Sequence, residues 1–142
     1  MAEVNLRVAA KAVIMNDKHQ ILILREAGYD EGTQTHLYGL VGGRINADES
    51  FFDGLRREVR EETGLTEIDV VKPLFVGEWY PTIKGVKNHI VVMFMLCEAH
   101  DDNVKLSEEH DNFVWLSRAD CAKYRFMEPD NEVIDLAFKE KK

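Results

Sequence analysis

Apolar residues in this chain fall into short blocks whose spacing changes along the sequence, and each spacing predicts a different element. Val8–Met15 and Ile21–Leu24 are rich in aliphatic residues and are separated by the polar run Asn16-Asp-Lys-His-Gln20, which predicts a β-hairpin. A stretch rich in Gly, Asp and Thr follows from Ala27 to His36 and reads as a loop. The apolar run Leu37-Tyr-Gly-Leu-Val41 then leads into Gly42-Gly43. Ile68–Tyr80 and His89–Glu98 read as two further strands joined through Pro81-Thr-Ile-Lys-Gly85. Phe113–Leu116 predicts a short strand, Arg118–Tyr124 a short helix, and Asp130–Lys139 a terminal amphipathic helix. No internal repeat, low-complexity tract or linker interrupts the pattern.

The spacing between residues 50 and 63 is helical. Ser50 or Asp48 can cap the first turn, Asp53 supplies an acid there, and Gly64 provides a stop, so the helix is expected from Ser50 to Thr63. At 100° per residue Phe52, Leu55 and Val59 share one stripe, expected to face the core. Glu58, Glu61 and Glu62 flank that stripe. Like charges three and four residues apart repel, so an ordinary solvated helix would interleave lysines here. The flank stays acidic instead.

Taken alone, Arg57-Glu-Val-Arg-Glu-Glu62 describes a salt-bridged surface helix. Two features change that reading: a glycine pair directly after an apolar run, and a further acid, Glu49, set back from the helical cluster. Oxygen-rich clusters of this kind suit hard cations such as Mg²⁺, with Mn²⁺ able to substitute, held by carboxylates together with substrate phosphates. The chain has 26 Asp and Glu against 18 Lys and Arg, a formal net charge of −8. Such a protein repels a polyphosphate unless cations lie between them, and it is unsuited to non-specific nucleic-acid binding.

The segment from Gly43 to Leu65 resembles the signature of the Nudix hydrolase family. It reads Gly43, five residues, Glu49, seven residues, then Arg57-Glu58-Val59-Arg60-Glu61-Glu62-Thr63-Gly64-Leu65. Seven fixed identities and two aliphatic positions arise by chance on the order of once in 10⁹ starts at average residue frequencies. The resemblance, of the MutT-like type, extends over most of the 142 residues and implies one domain, residues 1–142. The implied fold is an α/β/α sandwich with a mixed sheet, in which the box forms a loop-helix-loop.

The resemblance also implies roles. Glu58 and Glu62 would be principal metal ligands, Glu61 a further ligand, a water-mediated contact or the general base, and the Gly42 carbonyl a backbone ligand. Arg57 would orient a box glutamate by a charge-assisted hydrogen bond, and Glu49 would support that network. Gly54 stands where the family usually has alanine, and Val41 where proline is common. The implied activity is Mg²⁺-dependent hydrolysis of a pyrophosphate bond in a nucleoside diphosphate linked to another group. Candidate substrates are nucleoside triphosphates, ADP-ribose, dinucleoside polyphosphates and nucleotide sugars. A nucleotide-sensing module without catalysis and a diphosphate isomerase are the alternatives on the same fold. The sensor would be expected to lose box acids, and neither Cys97 nor Cys121 has the context of an isomerase site.

Outside the box, the Ser107-Glu-Glu-His-Asp111 segment resembles a loop that supplies a late acid in the family. Glu109 is the expected position, with Glu108 beside it, and a solvated loop is the competing reading. Arg25, at a strand end, is a candidate phosphate contact, and Trp79 and Tyr80 are candidates to stack on a base. Tyr80 and Pro81 lie near positions associated with dinucleoside polyphosphate and ADP-ribose hydrolases respectively, so the two cues point to different substrates.

A composition of 45% hydrophobic residues is enough for one real core. No apolar run approaches the roughly 20 residues of a membrane span, and the N-terminal residues lack the pattern of a secretory signal. The two cysteines form no CxxC pair, as expected of structural thiols in the cytoplasm. The expected partner is a nucleotide-derived small molecule, without nucleic acid or membrane, and a homodimer is left open.

Overall fold

The computed structural model describes residues 3–26 and 37–140, so the loop expected at Ala27–His36 lies outside the described residues. The strands are β1 (Val4–Met15), β2 (Ile21–Glu26), β3 (Leu37–Gly39), β4 (Val41–Arg44), β5 (Ile68–Trp79), β6 (Thr82–Ile83), β7 (Val86–Ala99), β8 (His110–Leu116) and β9 (Arg125–Phe126). The helices are α1 (Phe51–Thr63), a 3₁₀ turn at Arg118–Lys123, and α2 (Asp130–Glu140). The sheet is mixed, in the order β5-β7-β1-β2-β3-β9, with β4 also on β1, β6 on β7 and β8 on β2.

β1 organises this sheet. One edge pairs in parallel with β7 from Val4↔Lys87 to Met15↔Glu98. The other edge takes β4 antiparallel from Ala9↔Arg44 to Ala12↔Val41, and meets β2 only at Met15↔Ile21. The predicted hairpin therefore closes at its turn, where Asn16 N–H donates to the Gln20 carbonyl at 3.0 Å, and then splays. The gap between β1 and β2 is where β4 enters. Gly42 and Gly43, although glycine weakens strands, are both ladder residues of β4.

The middle of the sheet is buried on both faces, which is why its central strands read as nearly continuous apolar runs. On one face Ala9, Val13, Ile21, Ile23, Val92, Phe94 and Leu96 pack under Val133, Ile134, Ala137 and Phe138 of α2. On the other, Ala10, Ala12, Ile14, Leu22, Leu24, Met95 and Cys97 pack under Leu55 and Val59 of α1. The result is the expected α/β/α sandwich.

The α1 caps are as expected. Ser50 Oγ accepts the Asp53 N–H at 3.1 Å, and Gly64 ends the helix with φ 75°. The apolar stripe is shifted by one residue. Phe52, expected in the core, is 51% exposed. Phe51 takes the inward place, four residues before Leu55, and Phe52 rests edge-on against it at 5.3 Å between ring centroids. This placement predicts that Leu55→Ala costs about 2–5 kcal/mol in urea unfolding, whereas Phe52→Ala costs about 1 kcal/mol or less. Equal costs would contradict the assigned helix face.

Candidate active site

Two glycines let the helix approach β4. Gly42 adopts φ 154°, and a Cβ there would lie 2.1 Å from the Ala10 carbonyl oxygen, so no other residue fits. At Gly43 a Cβ would sit 2.7 Å from the Glu58 carboxylate. The missing side chain is the space that Glu58 occupies. Gly54 is close-set as well: a Cβ would meet Ile45 Cδ1 at 2.6 Å and Glu49 Oε1 at 2.9 Å. Glycine in place of the family's usual alanine thus makes room for Ile45.

Arg57 binds the acids together. Its Nε donates to Glu49 Oε2 at 3.0 Å and one terminal nitrogen donates to Glu49 Oε1 at 2.7 Å, a two-point grip on one carboxylate. The same terminal nitrogen donates to the Arg44 carbonyl at 3.1 Å, and the other donates to Glu58 Oε1 at 3.0 Å and Glu61 Oε1 at 3.1 Å. Glu49 also accepts the Asn46 N–H at 2.9 Å. These bonds, Arg57 foremost, hold the Glu49 carboxyl down at about 2.

Glu62 has a different environment. It lies on the buried stripe of α1 itself, 7% exposed, and Oε1 accepts the Gly42 N–H at 3.0 Å. Burial pushes its carboxyl up to about 7, with Glu58 and Glu109 adding in the same direction while Gly42 N–H and Lys11 oppose. Burial likewise raises Glu58, against the pull of Arg57. Glu61 stands further into solvent.

A cleft of about 520 Å³ gathers Gly42, Gly43, Glu58, Glu61, Glu62 and Glu109, with Arg44, Asn46 and Ser107 completing its wall. Glu109 arrives from a different part of the chain. Thr63 carbonyl accepts the Lys105 N–H at 2.8 Å, tying the segment before β8 to the end of α1. Ser107 Oγ accepts the Glu109 N–H at 3.4 Å. Glu108 is not among the lining residues. Arg44, Asn46 and Ser107 were not singled out from sequence.

Arg25 and Tyr80 do not line this cleft. Arg25 Nε donates to Asp111 Oδ1 at 2.8 Å, beside a bulge between β2 and β8. Tyr80 stacks on His89 at 4.5 Å between centroids. Trp79 points to the opposite face and lines a cavity of about 560 Å³ with Phe75, Gly77, Glu128 and Pro129.

Every donor in the cleft wall suited to a metal is oxygen, the set a hard divalent ion prefers. Among the described residues, no three His, Cys, Asp or Glu side chains converge closely enough to hold an ion as they stand. Glu58 and Glu61 instead share one terminal nitrogen of Arg57. The misfit to water is nevertheless plain: Glu62 is desolvated beside other acids, and among the described residues no cationic side chain forms a salt bridge to it.

Residues 5–137 match the NUDIX domain family. The chain belongs to the Nudix family. Nucleoside triphosphatase NudI from Escherichia coli O139:H28 is 29% identical to it over 121 residues, 79% of this chain and 82% of that protein. The MutT protein of Methanosarcina mazei Go1 superposes with a TM-score of 0.65 at 29% identity, covering 100% of this chain and 99% of that one. A C. elegans Ap4A hydrolase shares the fold, with a TM-score of 0.71 at 21% identity over 96% of this chain and 99% of that one. The chain is a MutT-like Nudix hydrolase, an enzyme that hydrolyses phosphorus anhydrides, and Nudix hydrolases generally use divalent metals. No helix among its described residues is long and apolar enough to cross a membrane.

The Glu62 environment sets a pH dependence. Folded, this Nudix hydrolase keeps that proton up to about pH 7, whereas the unfolded chain releases it near pH ~4.3. Stability of the metal-free protein therefore falls as pH rises through that window. Glu62→Gln should flatten the fall in a series of thermal melts, and parallel curves for the two proteins would contradict the assigned environment.

Proposed function

We infer that the cleft hydrolyses a pyrophosphate bond in a nucleoside diphosphate linked to another group, with Mg²⁺ or Mn²⁺ bound among its acids. The observation that carries this reading is the pairing of a buried, proton-retaining Glu62 with Glu58 on one wall of an all-oxygen cleft. Glu58, Glu62 and the Gly42 carbonyl would hold the metal, with Glu61 as a further ligand. When bound, the ions offset charge on the phosphate oxygens and acidify a water.

The chain's own residues supply position and proton transfer, which is most of what phosphoryl transfer requires. Arg57 orients Glu58 and Glu61, and Glu49 anchors Arg57. Glu61 or Glu109 accepts the proton of the attacking water. Arg25 would meet a phosphate only by giving up Asp111.

Nucleoside triphosphates are the first substrates to test, since the NudI relatives bear that name. For the nucleoside, Trp79 is better placed than Tyr80. Pro129 of its cavity adjoins Asp130, Asp130 pairs with Lys11 at 3.6 Å, and Lys11 stands opposite Gly42 across the β1–β4 ladder. The free cysteines, Cys97 buried and Cys121 half-buried, suit a reducing cytoplasm.

In a panel of nucleoside triphosphates, dinucleoside polyphosphates, ADP-ribose and nucleotide sugars, Glu62→Gln should lower turnover by roughly 10²–10⁴-fold, the scale of a lost acid–base or ligand group. Its circular dichroism should remain that of the folded protein. Near-native turnover in this variant, or turnover that survives chelation, would refute the assignment. Trp79→Ala should raise KM with little change in kcat, and an unchanged KM would remove Trp79 from the substrate site.

A further inference from the structure

The acid that reaches the cleft from outside α1 sits on a segment pinned on either side. On one side Lys105 N–H donates to the Thr63 carbonyl at 2.8 Å, which ties the chain to the end of the helix. On the other, Asp111 Oδ1 accepts from Arg25 Nε at 2.8 Å. Glu109 lies between them. Within that span the backbone turns on itself, with His110 N–H donating to the Ser107 carbonyl at 3.3 Å and Glu109 N–H to Ser107 Oγ at 3.4 Å.

The β2–β8 ladder shows how Asp111 comes to meet Arg25. From Ile21↔Leu116 to Arg25↔Asn112 the strands pair residue for residue, and the next pair is Glu26↔His110. Asp111 is the extra residue. A bulge of this kind breaks the alternation of the strand and re-aims the side chain it carries, here onto the guanidinium of Arg25.

We propose that Arg25 and Asp111 form a positioning clasp that keeps Glu109 in the cleft against the repulsion of the other acids, an inference that rests on the reading of that cleft as the site of hydrolysis. Glu109 acts on Glu58 and Glu62 as a like charge and shares the cleft with Glu61 as well. Repulsion drives its segment outward. The bonds to Ser107 lie within the segment and move with it, so the outward drift is opposed at Lys105 and at Asp111, and the hold at Asp111 is the nearer to Glu109. Arg25 acts here through Asp111, not on a phosphate, because its Nε is committed to that carboxylate and it does not line the cleft. Both partners stand partly in water, where an ion pair adds little to overall stability. Losing the pair should free the segment without unfolding the protein.

The test compares Arg25→Ala, Asp111→Ala and the exchanged pair Arg25→Asp/Asp111→Arg on the nucleotide that wild type turns over best. Each single variant should lose about 10²-fold in kcat, the scale of a reacting group misplaced by about 1 Å, with KM near wild type, and the exchanged pair should recover most of that loss. A phosphate contact gives a different pattern. Asp111→Ala would then release Arg25 to the substrate and keep kcat, Arg25→Ala would raise KM, and exchange would rescue nothing; that result would overturn the proposal. Hydrogen exchange on the metal-free proteins reads the clasp without turnover. Peptides covering residues 107–111 should exchange faster in both single variants while those of α1 keep their protection, and unchanged exchange at 107–111 would overturn the clasp even where wild-type hydrolysis stands. A wild type inactive on every nucleotide would remove the reading of the cleft and the catalytic role of the clasp together.

Discussion

Much of the site depends on Arg57, a cation set among acids. Its guanidinium spends its donors on Glu49, Glu58, Glu61 and the Arg44 carbonyl, joining the loop after β4 to two turns of α1. Without it, Glu58 and Glu61 would stand at repelling separations with nothing to fix their rotamers. Glu49 gains most from the arrangement and serves as its anchor, since it stays ionised far into acid.

The glycines set the depth at which this network sits. Because Gly42 and Gly43 have no side chains, β4 pairs tightly with β1 and Glu58 lies against backbone. Glu62 is consequently drawn under the Gly42 N–H and away from water. Burying a carboxylate there disfavours its charged form. A divalent ion in the cleft, as proposed above, would offset that penalty.

The box was legible because its information is local. Cap, stop, acidic flank and glycine loop all fall between Gly42 and Leu65, and helical geometry relates them without knowledge of the rest of the chain. Long-range relations were not legible. The Arg25–Asp111 pair spans 86 positions, and nothing near Arg25 announces it. The Lys105 bond to Thr63 that brings Glu109 into the cleft joins segments that spacing alone cannot connect. Phe51 and Phe52 differ by one step of helical phase, which periodicity over three apolar positions resolves poorly. Tyr80 and Trp79 illustrate the strand counterpart: adjacent residues occupy opposite faces, and pairing with β7 decides which face is which.

The central claim is that the cleft under Gly42 is built to hold divalent metal. Anomalous diffraction from crystals grown with Mn²⁺ and a non-hydrolysable nucleotide tests it most directly. The account predicts peaks bounded by Glu58, Glu62 and the Gly42 carbonyl, with Glu62 turned toward the ion. Absence of anomalous density in that cleft, or Mn²⁺ bound only elsewhere on the acidic surface, would contradict it.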